Sequence, residues 1–494
     1  MAGRTAWVLG DQLSRDNPAL RGADRVLLVE SAAYLRGPRL HRQKLHLVYS
    51  AMRHFARELA DRGLEVDLRG APTLRQGVAA HVAEHDPDEV GVLEPASLAA
   101  HERLATWPRV RLVRGSLFLT HPDEFAAWAK GRRRLVMEDF YRWQRARLGV
   151  LMDGDEPAGG RWNLDAENRR PPPRDRRPPR PYRPRESAID AEVRAMLDAH
   201  APPAFGRDAP RRWPATRAEA RRSLARFVED RLPEFGPWQD AMLHGERWMW
   251  HGHVSSSLNL GLLSPAECVE AAEEAYRRGD VPLASAEGFV RQVIGWREYV
   301  WGIYWLHRER WPGANALEAH TPLPQALWGG PTRMRCLADV VEGLAETAYA
   351  HHIERLMLLG NLMLLLGVRP DEATEWFRLT HVDGYDWVMA PNVLGMATWA
   401  DGGAMMTKPY AASGRYVQRM SDHCAGCSYD PGARTGDRAC PFTTLYWDFL
   451  DRHEGRLRPN RRLGFAYTNL DRLPPAEREE IRRLARALRD DFTA

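Results

Sequence analysis

The chain has 494 residues, 44% of them hydrophobic, which is typical of a globular protein with two or more domains. Five cysteines are too few for a disulfide framework, and the sequence shows neither a signal-peptide pattern nor a run of 18 apolar residues. We therefore expect a cytoplasmic protein that stays out of the membrane. The net charge of +4 excludes nucleic-acid binding driven by overall charge and leaves only local basic patches for that role.

Strand-like and helix-like patterns alternate over residues 1–130. The candidate strands are short apolar runs: Ala6–Gly10, Arg25–Glu30, Leu64–Leu68, Glu89–Leu93 and Arg109–Arg114. An amphipathic helix, Leu47–Arg62, separates the second and third of them. This alternation predicts an α/β domain with a doubly wound parallel sheet. The GDQL turn after the first strand lies where open α/β sheets bind ligands, but no GxGxxG motif indicates a dinucleotide.

Residues 131–209 are predicted to link two domains. The segment Arg169–Arg185 contains eight arginines, seven prolines and one aspartate, so it cannot be a helix or a central strand. It is either a solvated linker with a polyproline bias or a basic strap that contacts a phosphate backbone, and the two are compatible.

Residues 210–494 read as a large all-α domain. Apolar residues recur at helical spacing in five segments: Ala218–Leu232, Glu287–His307, Leu337–Gly367, Asp371–Leu379 and Pro475–Asp491. The hydroxyl-rich run His253–Pro265 either holds phosphate oxygens or merely caps a helix. The segment His381–Gly403 is predicted to be a loop-rich binding segment, with Asp383, Asp386 and Asn392 facing a ring nitrogen.

Four cysteines have the spacing of one metal centre. Cys424, Cys427 and Cys440 read C-A-G-C-(12 residues)-C-P, and Cys336 lies 88 positions before Cys424. Four thiolates suit either tetrahedral zinc or a [4Fe–4S] cluster, and the proline after the last cysteine slightly favours iron–sulfur. Cys268 lies in an apolar helical stretch and is predicted to be core.

The sequence AHHIER places His351 and His352 side by side on an otherwise apolar predicted helix. Adjacent helical residues point about 100° apart, so one ring can face a cavity while the other faces a packing partner.

An ordered set of motifs resembles the photolyase/cryptochrome superfamily. The set comprises the hydroxyl run ending in LSP, RQVIGWREY, AHHIER and the DGYDW segment with its following Asn. The four cysteines, GDQLS, HRQKL, MEDFYRW and GRWNLDAEN are similar to its bacterial iron–sulfur branch, the prokaryotic (6-4) photolyases and related cryptochromes. The resemblance implies an α/β antenna domain followed by an all-helical domain that binds FAD.

The resemblance also implies the activity. The expected reaction is light-dependent repair of (6-4) photoproducts in UV-damaged DNA by electron transfer from reduced FAD to a flipped lesion. The alternative is a cryptochrome-type blue-light photoreceptor with the same cofactors and little or no repair. We expect a monomer.

Cofactor contacts follow residue by residue. The four cysteines correspond to [4Fe–4S] ligands, and an antenna ribityllumazine would be bound at Asp11, with Glu30 and Tyr34 as partners. Asp165 resembles a carboxylate linked to effects of a divalent metal such as Mg²⁺. The implied FAD contacts are Ser255, Ser256, Ser257, Gln292, Arg297, Arg355, Asp383, Asp386 and Asn392.

Catalytic positions also carry over. The two adjacent histidines match a pair beside the lesion pocket, and His352 is expected to donate the proton, with a pKa near neutrality. Eukaryotic relatives carry a further histidine where Leu356 stands, so one histidine is expected to do the proton work here. Phe377 replaces a tyrosine of some relatives next to the electron-conducting chain. Tyr410 and Tyr416 would line the same pocket, and that chain would consist of Trp376 and Trp328.

Overall fold

Residues 3–37 and 39–493 are described by the structure, a computed structural model. A parallel sheet with strand order β3-β2-β1-β4-β5 confirms the predicted α/β fold. Its strands are β1 Arg4–Trp7, β2 Arg25–Ser31, β3 Glu65–Ala71, β4 Glu89–Leu93 and β5 Val110–Val113. The order reverses between β1 and β4, which makes the carboxyl ends of these two strands the expected ligand site.

The sheet is covered on both faces, which explains its nearly continuous apolar strands. Val26 and Leu28 of β2 join the core formed with the long helix 42–61. Leu27, between them, joins a separate core with Val78 on the opposite face. Because successive strand residues point to opposite faces, one strand serves two layers of helices.

The helices are numbered in chain order, and most of them lie after residue 210. They are α1 Ala32–Arg36, α2 Arg42–Asp61, α3 Leu74–His85, α4 Leu98–Leu104, α5 Pro122–Ala129, α6 Met137–Leu148, α7 Ala188–His200, α8 Arg217–Asp230, α9 Leu232–Trp238, α10 Ser255–Leu260, α11 Pro265–Arg277, α12 Leu283–Val290, α13 Glu298–Leu306, α14 Arg335–Thr347, α15 Asn361–Leu366, α16 Pro370–Thr380, α17 Asp386–Met389, α18 Gly414–Met420, α19 Pro441–Arg452, α20 Glu454–Leu457, α21 Gly464–Asp471 and α22 Pro475–Thr493. A short hairpin pairs β6 Met152–Asp153 with β7 Glu156–Pro157. None of the helices in the described ranges combines the length and apolarity needed to cross a bilayer.

Three segments wind as π-helix: Arg291–Arg297, Glu354–Gly360 and Ala390–Ala397. The last of these follows directly on α17, so the prediction of a loop-rich segment over His381–Gly403 was wrong for its middle part, residues 386–397. The continuous helix predicted over Leu337–Gly367 is also interrupted, because Ala348 adopts φ 57° and ends α14. His351 therefore lies just before the next helical segment instead of inside one long helix.

The stretch 131–209 packs against both domains. α6 and α7 lie within it, and α7 packs on α2. Arg211 fastens its end through buried bonds to Asp190 (2.9 Å) and Glu219 (2.9 Å). The segment Arg169–Arg185 itself has no helix or strand, as its prolines predict, and its arginines are exposed. We call Arg169–Arg185 the basic strap.

Candidate functional site

A cavity of about 280 Å³ lies inside the all-helical region, and we call it the helical cavity. All three π-helical segments border it, through Gln292, Arg355 and Asn392 respectively. A π-helical turn inserts one extra residue and re-aims the side chains around it, and such turns concentrate at functional sites. The helical cavity is therefore the first candidate site.

A buried ion pair forms one wall of this cavity. The guanidinium of Arg355 donates to both carboxylate oxygens of Asp383, at 2.9 and 3.2 Å, and the Ser255 hydroxyl donates to the same carboxylate at 2.7 Å. Burial disfavours the charged carboxylate, but these two partners outweigh it, so the pKa of Asp383 lies below its usual value. The wall thus presents fixed charge to a ligand.

Four of the other predicted flavin contacts lie at or behind the wall of the helical cavity. Gln292 and Asn392 line the helical cavity, and the Asn392 amide nitrogen is held by the Val388 carbonyl at 2.7 Å. Its amide oxygen remains free for a ligand. Ser256 and Ser257 are buried in α10 behind Ser255, and the Ser256 hydroxyl has no hydrogen-bond partner.

The two adjacent histidines face different ways, as their spacing predicts. His352 lines the helical cavity, where water reaches its ring. His351 is fully buried behind it, with Nε2 3.4 Å from a Glu354 carboxylate oxygen. Of these two adjacent histidines, only His352 is therefore placed to touch a ligand in the cavity.

The sequence predicted a pKa near neutrality for His352, but the structure places it lower. The ring opens into the cavity yet lies deep inside the protein, and this burial, reinforced by the nearby Arg355, lowers its pKa to about 4. The imidazole is thus neutral at pH 7 in the ligand-free protein. An anionic ligand beside it would raise this pKa, because negative charge favours the imidazolium.

Aromatic rings connect the helical cavity to the surface. Phe377 lines the cavity, and the centroid of its ring lies 4.9 Å from that of Trp376. The ring centroids of Trp376 and Trp328 lie 6.4 Å apart, and Trp328 is 38% exposed. The two predicted tryptophans thus form a continuous path, with Phe377 as its ring nearest the cavity.

A second cavity of about 280 Å³ lies at the carboxyl ends of β1, β2 and β4, where the helical region closes over them. We call it the interdomain cavity. Asp11 and Tyr34, two of the predicted antenna contacts, line it together with Lys44. Burial lowers the pKa of Lys44 to about 7 and raises that of Asp11 to about 6. This is the site that the reversal of strand order predicts.

Two predicted residues are placed differently from their expected partners. Glu30 does not line the interdomain cavity but forms a two-point ion pair with Arg53, at 2.7 and 2.9 Å. Asp386 lies in the interdomain cavity instead of the helical one, and its carboxylate accepts from Ser97 at 3.1 Å. Its negative charge helps to raise the pKa of the neighbouring Asp11.

We expect Asp11→Asn to stabilise the ligand-free protein in a pH-dependent way. The folded-state pKa of Asp11 lies above its unfolded value, so its contribution is favourable at low pH and is lost as pH rises through about 6. Neutral asparagine should therefore raise the free energy of unfolding by about 3 kcal/mol at pH 8 and by about half as much at pH 5. Urea unfolding measures both values. The exposed neighbour Asp16→Asn is the control, and equal gains for both variants would contradict the expectation.

The four predicted metal ligands surround one small cavity. Cys336 lies in the first turn of α14, Cys440 caps α19, Cys424 lies in a short 3₁₀ turn, and Cys427 directly follows that turn. Burial and mutual repulsion raise the pKa of Cys424 to about 11 and that of Cys440 to about 12. Four such thiols repel one another once ionised, unless a cation compensates them.

A glycine keeps room for a metal centre among the four cysteines. A Cβ at Gly414 would lie 2.9 Å from the Cys440 sulfur. Four thiolates round one small cavity fit either tetrahedral zinc or a [4Fe–4S] cluster.

Comparison with known proteins identifies the family. Residues 6–213 match the model of the deoxyribodipyrimidine photo-lyase-related protein family. The chain is 41% identical to a protein named (6-4) photolyase from Agrobacterium fabrum, over 97% of this chain and 98% of that protein. The chain belongs to the photolyase family. A crystal structure of a bacterial class III photolyase from Agrobacterium tumefaciens shares its fold, with a TM-score of 0.59, 16% identity and coverage of 99% and 98% of the two chains.

Within this photolyase fold, the helical cavity is chemically suited to a flavin. Its walls are mostly apolar, and hydroxyl, amide and carboxylate groups converge from Ser255, Gln292, Asn392 and Asp383. Arg297 lies outside that lining, stacked on Phe118 with its guanidinium carbon 4.0 Å from the ring centroid. Its predicted flavin contact remains a prediction.

Tyr410 and Tyr416 lie near Asp240, outside the lining of the helical cavity. Burial raises the pKa of Asp240 to about 6, and Asp165 adds to the effect. Asp165 itself accepts from Arg291 at 2.8 Å and pairs with Arg169. Two guanidinium groups already compensate the negative charge of Asp165. Its contacts therefore fit an ion pair better than a Mg²⁺ site.

Sequence reasoning missed two side chains in these photolyase cavities. Lys44 belongs to the HRQKL motif, but its buried ammonium, which donates to the Arg378 carbonyl at 3.1 Å, has no local signature. His251 lines the helical cavity beside His352, although 100 positions separate them. Only the three-dimensional fold brings these residues together.

Proposed function

We propose that this protein repairs (6-4) photoproducts in UV-damaged DNA with light, using FAD, a [4Fe–4S] cluster and a ribityllumazine antenna. The observation that carries the proposal is the position of His352, which faces the same cavity as the Arg355–Asp383 pair. A proton donor therefore borders the proposed flavin site. The name of the Agrobacterium fabrum relative supports the same lesion.

Each residue of the helical cavity has a task in this proposal. Ser255, Gln292, Asn392 and the Arg355–Asp383 pair hold and orient the flavin, which when bound supplies a light-driven electron to the lesion. A ligand that fills this mostly apolar cavity displaces water from it, which strengthens these contacts. His352 donates a proton to the flipped lesion, and the negative charge of flavin and DNA raises its pKa toward the range that this task requires.

The tryptophan path serves to reduce the flavin. Trp376 lies between Phe377 and Trp328, with its indole nitrogen donating to the Leu327 carbonyl at 3.2 Å. Since Phe377 is a poorer redox relay than tyrosine, the route depends on the two tryptophans.

We expect Trp376→Phe to slow photoreduction of the bound flavin at least tenfold, because the surface-exposed Trp328 then loses its redox-active neighbour. Repair by chemically pre-reduced protein should remain within twofold of wild type. Flavin absorbance under blue light with an external reductant measures the first rate. Trp447→Phe on α19 is the control, and unchanged photoreduction in Trp376→Phe would rule out this route.

The basic strap supplies a DNA contact in this proposal. Within the described ranges, Arg174, Arg177 and Arg180 form no ion pair with a carboxylate and are exposed. Pro178, between them, is buried and anchors the strap to the protein surface. Unpaired guanidiniums on an anchored segment are suited to phosphate contacts.

We expect the triple change of Arg174, Arg177 and Arg180 to Gln to weaken binding of damaged and undamaged duplexes alike. Each lost phosphate contact should reduce the slope of log affinity against log salt by about 0.9, so the total change is about 2 to 3. Fluorescence anisotropy between 50 and 200 mM salt measures the slope.

A matched control removes the same charge elsewhere. Arg57, Arg62 and Arg75 are exposed on the α/β domain, and their change to Gln should leave the salt slope unchanged. Equal slopes for the two triple variants would assign the effect to net charge and contradict a contact by the strap.

One experiment tests the proposed function directly. Wild-type protein is illuminated with blue light in the presence of an oligonucleotide with a (6-4) lesion and, separately, one with a cyclobutane dimer. We expect light-dependent restoration of the (6-4) substrate alone. The absence of turnover on both substrates would overturn the repair function and leave the photoreceptor alternative.

A further inference from the structure

A second imidazole borders the helical cavity beside His352. His251, on the segment before α10, lines the cavity together with His352 and Leu356. Its Nε2 is buried without a hydrogen-bond partner, although buried polar atoms are nearly always paired. The ring is therefore held at the cavity with hydrogen-bonding capacity that the protein does not use.

Packing fixes the orientation of His251. Its ring stacks on His351 at 4.7 Å with an interplanar angle of 21°, and its edge meets Phe235 at 5.7 Å. His351 is held in turn by Glu354, whose carboxylate also accepts the His351 backbone N–H at 3.1 Å. A ring braced in this way is preorganised for contact with a ligand.

His253, two positions later, differs from His251 in its hydrogen bonds. His253 also lines the cavity, but Nε2 donates to the Trp248 carbonyl at 2.9 Å and Nδ1 accepts from Arg231 at 2.8 Å. Both nitrogens of His253 are thus engaged by the protein. The free nitrogen of His251 distinguishes it from this structural histidine.

We propose that His251 is a second catalytic histidine, the base that accepts a proton from the lesion while His352 acts as the acid. The inference rests on the proposed function and deepens it. The sequence indicated a single working histidine because Leu356 replaces the second one of eukaryotic relatives. The fold supplies that second imidazole from a different segment, on the same cavity wall.

The chemistry of the lesion requires both roles. Repair moves the hydroxyl oxygen of the 5′ base to the 3′ base, breaks the bond joining the bases and re-forms the 5′ double bond. The hydroxyl loses its proton and a ring nitrogen of the 3′ base gains one, while the electron supplied at the start is returned. His251 takes the first proton and His352 gives the second, so a transfer from His251 to His352 resets the pair.

The surroundings keep His251 neutral in the ligand-free protein. Burial is the main cause, and adjacent cations and imidazoles add to it, so the pKa of His251 lies at about 3. An imidazole with so low a pKa is a weak base, so the role requires the negative charge of bound flavin and DNA to raise this pKa, as for His352. The titratable and charged groups that face it are His253, His351, His352, Arg231 and Arg355.

The test uses two substitutions at one position. His251→Phe keeps the stacking on His351 and removes the base, and His251→Ala opens space for free imidazole. We expect His251→Phe to lower repair per absorbed photon about 100-fold, with flavin content and photoreduction within twofold of wild type. In the dark, its preference for (6-4) over undamaged oligonucleotide should fall about fivefold.

Chemical rescue separates the base from the acid. Added imidazole should increase the repair activity of His251→Ala at least tenfold. This rescue should grow as pH rises from 6 to 8, because the neutral form of imidazole is the base. In His352→Ala any rescue should grow as pH falls. Wild-type turnover combined with unchanged repair by His251→Phe would overturn the role of His251 alone. Failure of the wild type would overturn the proposed function itself.

Discussion

Replacing His352 by alanine should lower (6-4) repair by about 100-fold to 10,000-fold while leaving the flavin spectrum intact. Positioned general acids contribute rate factors of that size, and His352 faces the cavity, whereas His351 is buried behind it. Repair per absorbed photon on a (6-4) oligonucleotide measures the effect. His200→Ala, at the exposed end of α7, is the control. Full activity in His352→Ala would remove His352 as the acid.

The pH dependence of the wild type follows from the same residue. The pKa of His352 is about 4 in the ligand-free protein and should be higher when anionic DNA is bound. Binding therefore takes up a proton, so affinity for the lesion should rise as pH falls from 8 to 6. Because the acid acts only when protonated, repair should decline as pH rises above the bound-state pKa. His352→Ala should lose both dependences.

The sequence was a good guide where side-chain periodicity was regular. Both ends of the strand Glu89–Leu93 were predicted correctly. The predicted helix 47–62 coincides with α2 except that α2 begins five residues earlier and ends one residue earlier. A strand buried on both faces appears in the sequence as a short continuous apolar run, and an amphipathic helix as apolar residues at helical spacing. The C-A-G-C motif likewise allowed its partner Cys336 to be assigned, and the fold brings all four sulfurs to one cavity.

Prediction failed where the backbone departs from regular geometry. The segment Ala390–Ala397 was expected to be a loop because it contains few strong helix formers, yet it winds as π-helix. No residue type reports the change of hydrogen-bond register that a π-helical turn requires. Ala348 ends α14 with a positive φ, a conformation that sequence patterns assign to glycine or asparagine. Asp386 was assigned to the wrong cavity for a related reason, since the α17 turn points it away from Asp383.

The short segment from Asp383 to Asp386 separates the two cavities and presents a different carboxylate to each. Asp383 faces the helical cavity and pairs with Arg355, whereas Asp386, three positions later, faces the interdomain cavity beside Asp11. A segment this short places the proposed antenna and flavin sites close together. Transfer of excitation energy between two chromophores depends steeply on their separation, so this segment serves both proposed cofactors.

We expect Cys427→Ser to abolish the proposed iron–sulfur centre and to destabilise the helical region more than the other single substitutions do. The four thiolates join the first turn of α14, the segment after α18 and the start of α19, which are separated by up to 104 residues along the chain. Metal binding to a site that does not exist in the unfolded chain contributes directly to folding free energy. Iron content, visible absorbance and thermal unfolding measure the loss, and we expect a fall in Tm of 10 °C or more.

The matched control for this change is Cys268→Ala. Cys268 is fully buried on α11 and lies outside the four-sulfur cavity, so its removal should leave iron content unchanged and cost about 1 kcal/mol of packing. The start of α19 also favours a charged ligand at this position. Cys440 is the N-cap of α19, where the helix dipole stabilises a thiolate. If Cys427→Ser lost its iron but kept its Tm, with slower flavin reduction, the centre would instead be an electron carrier.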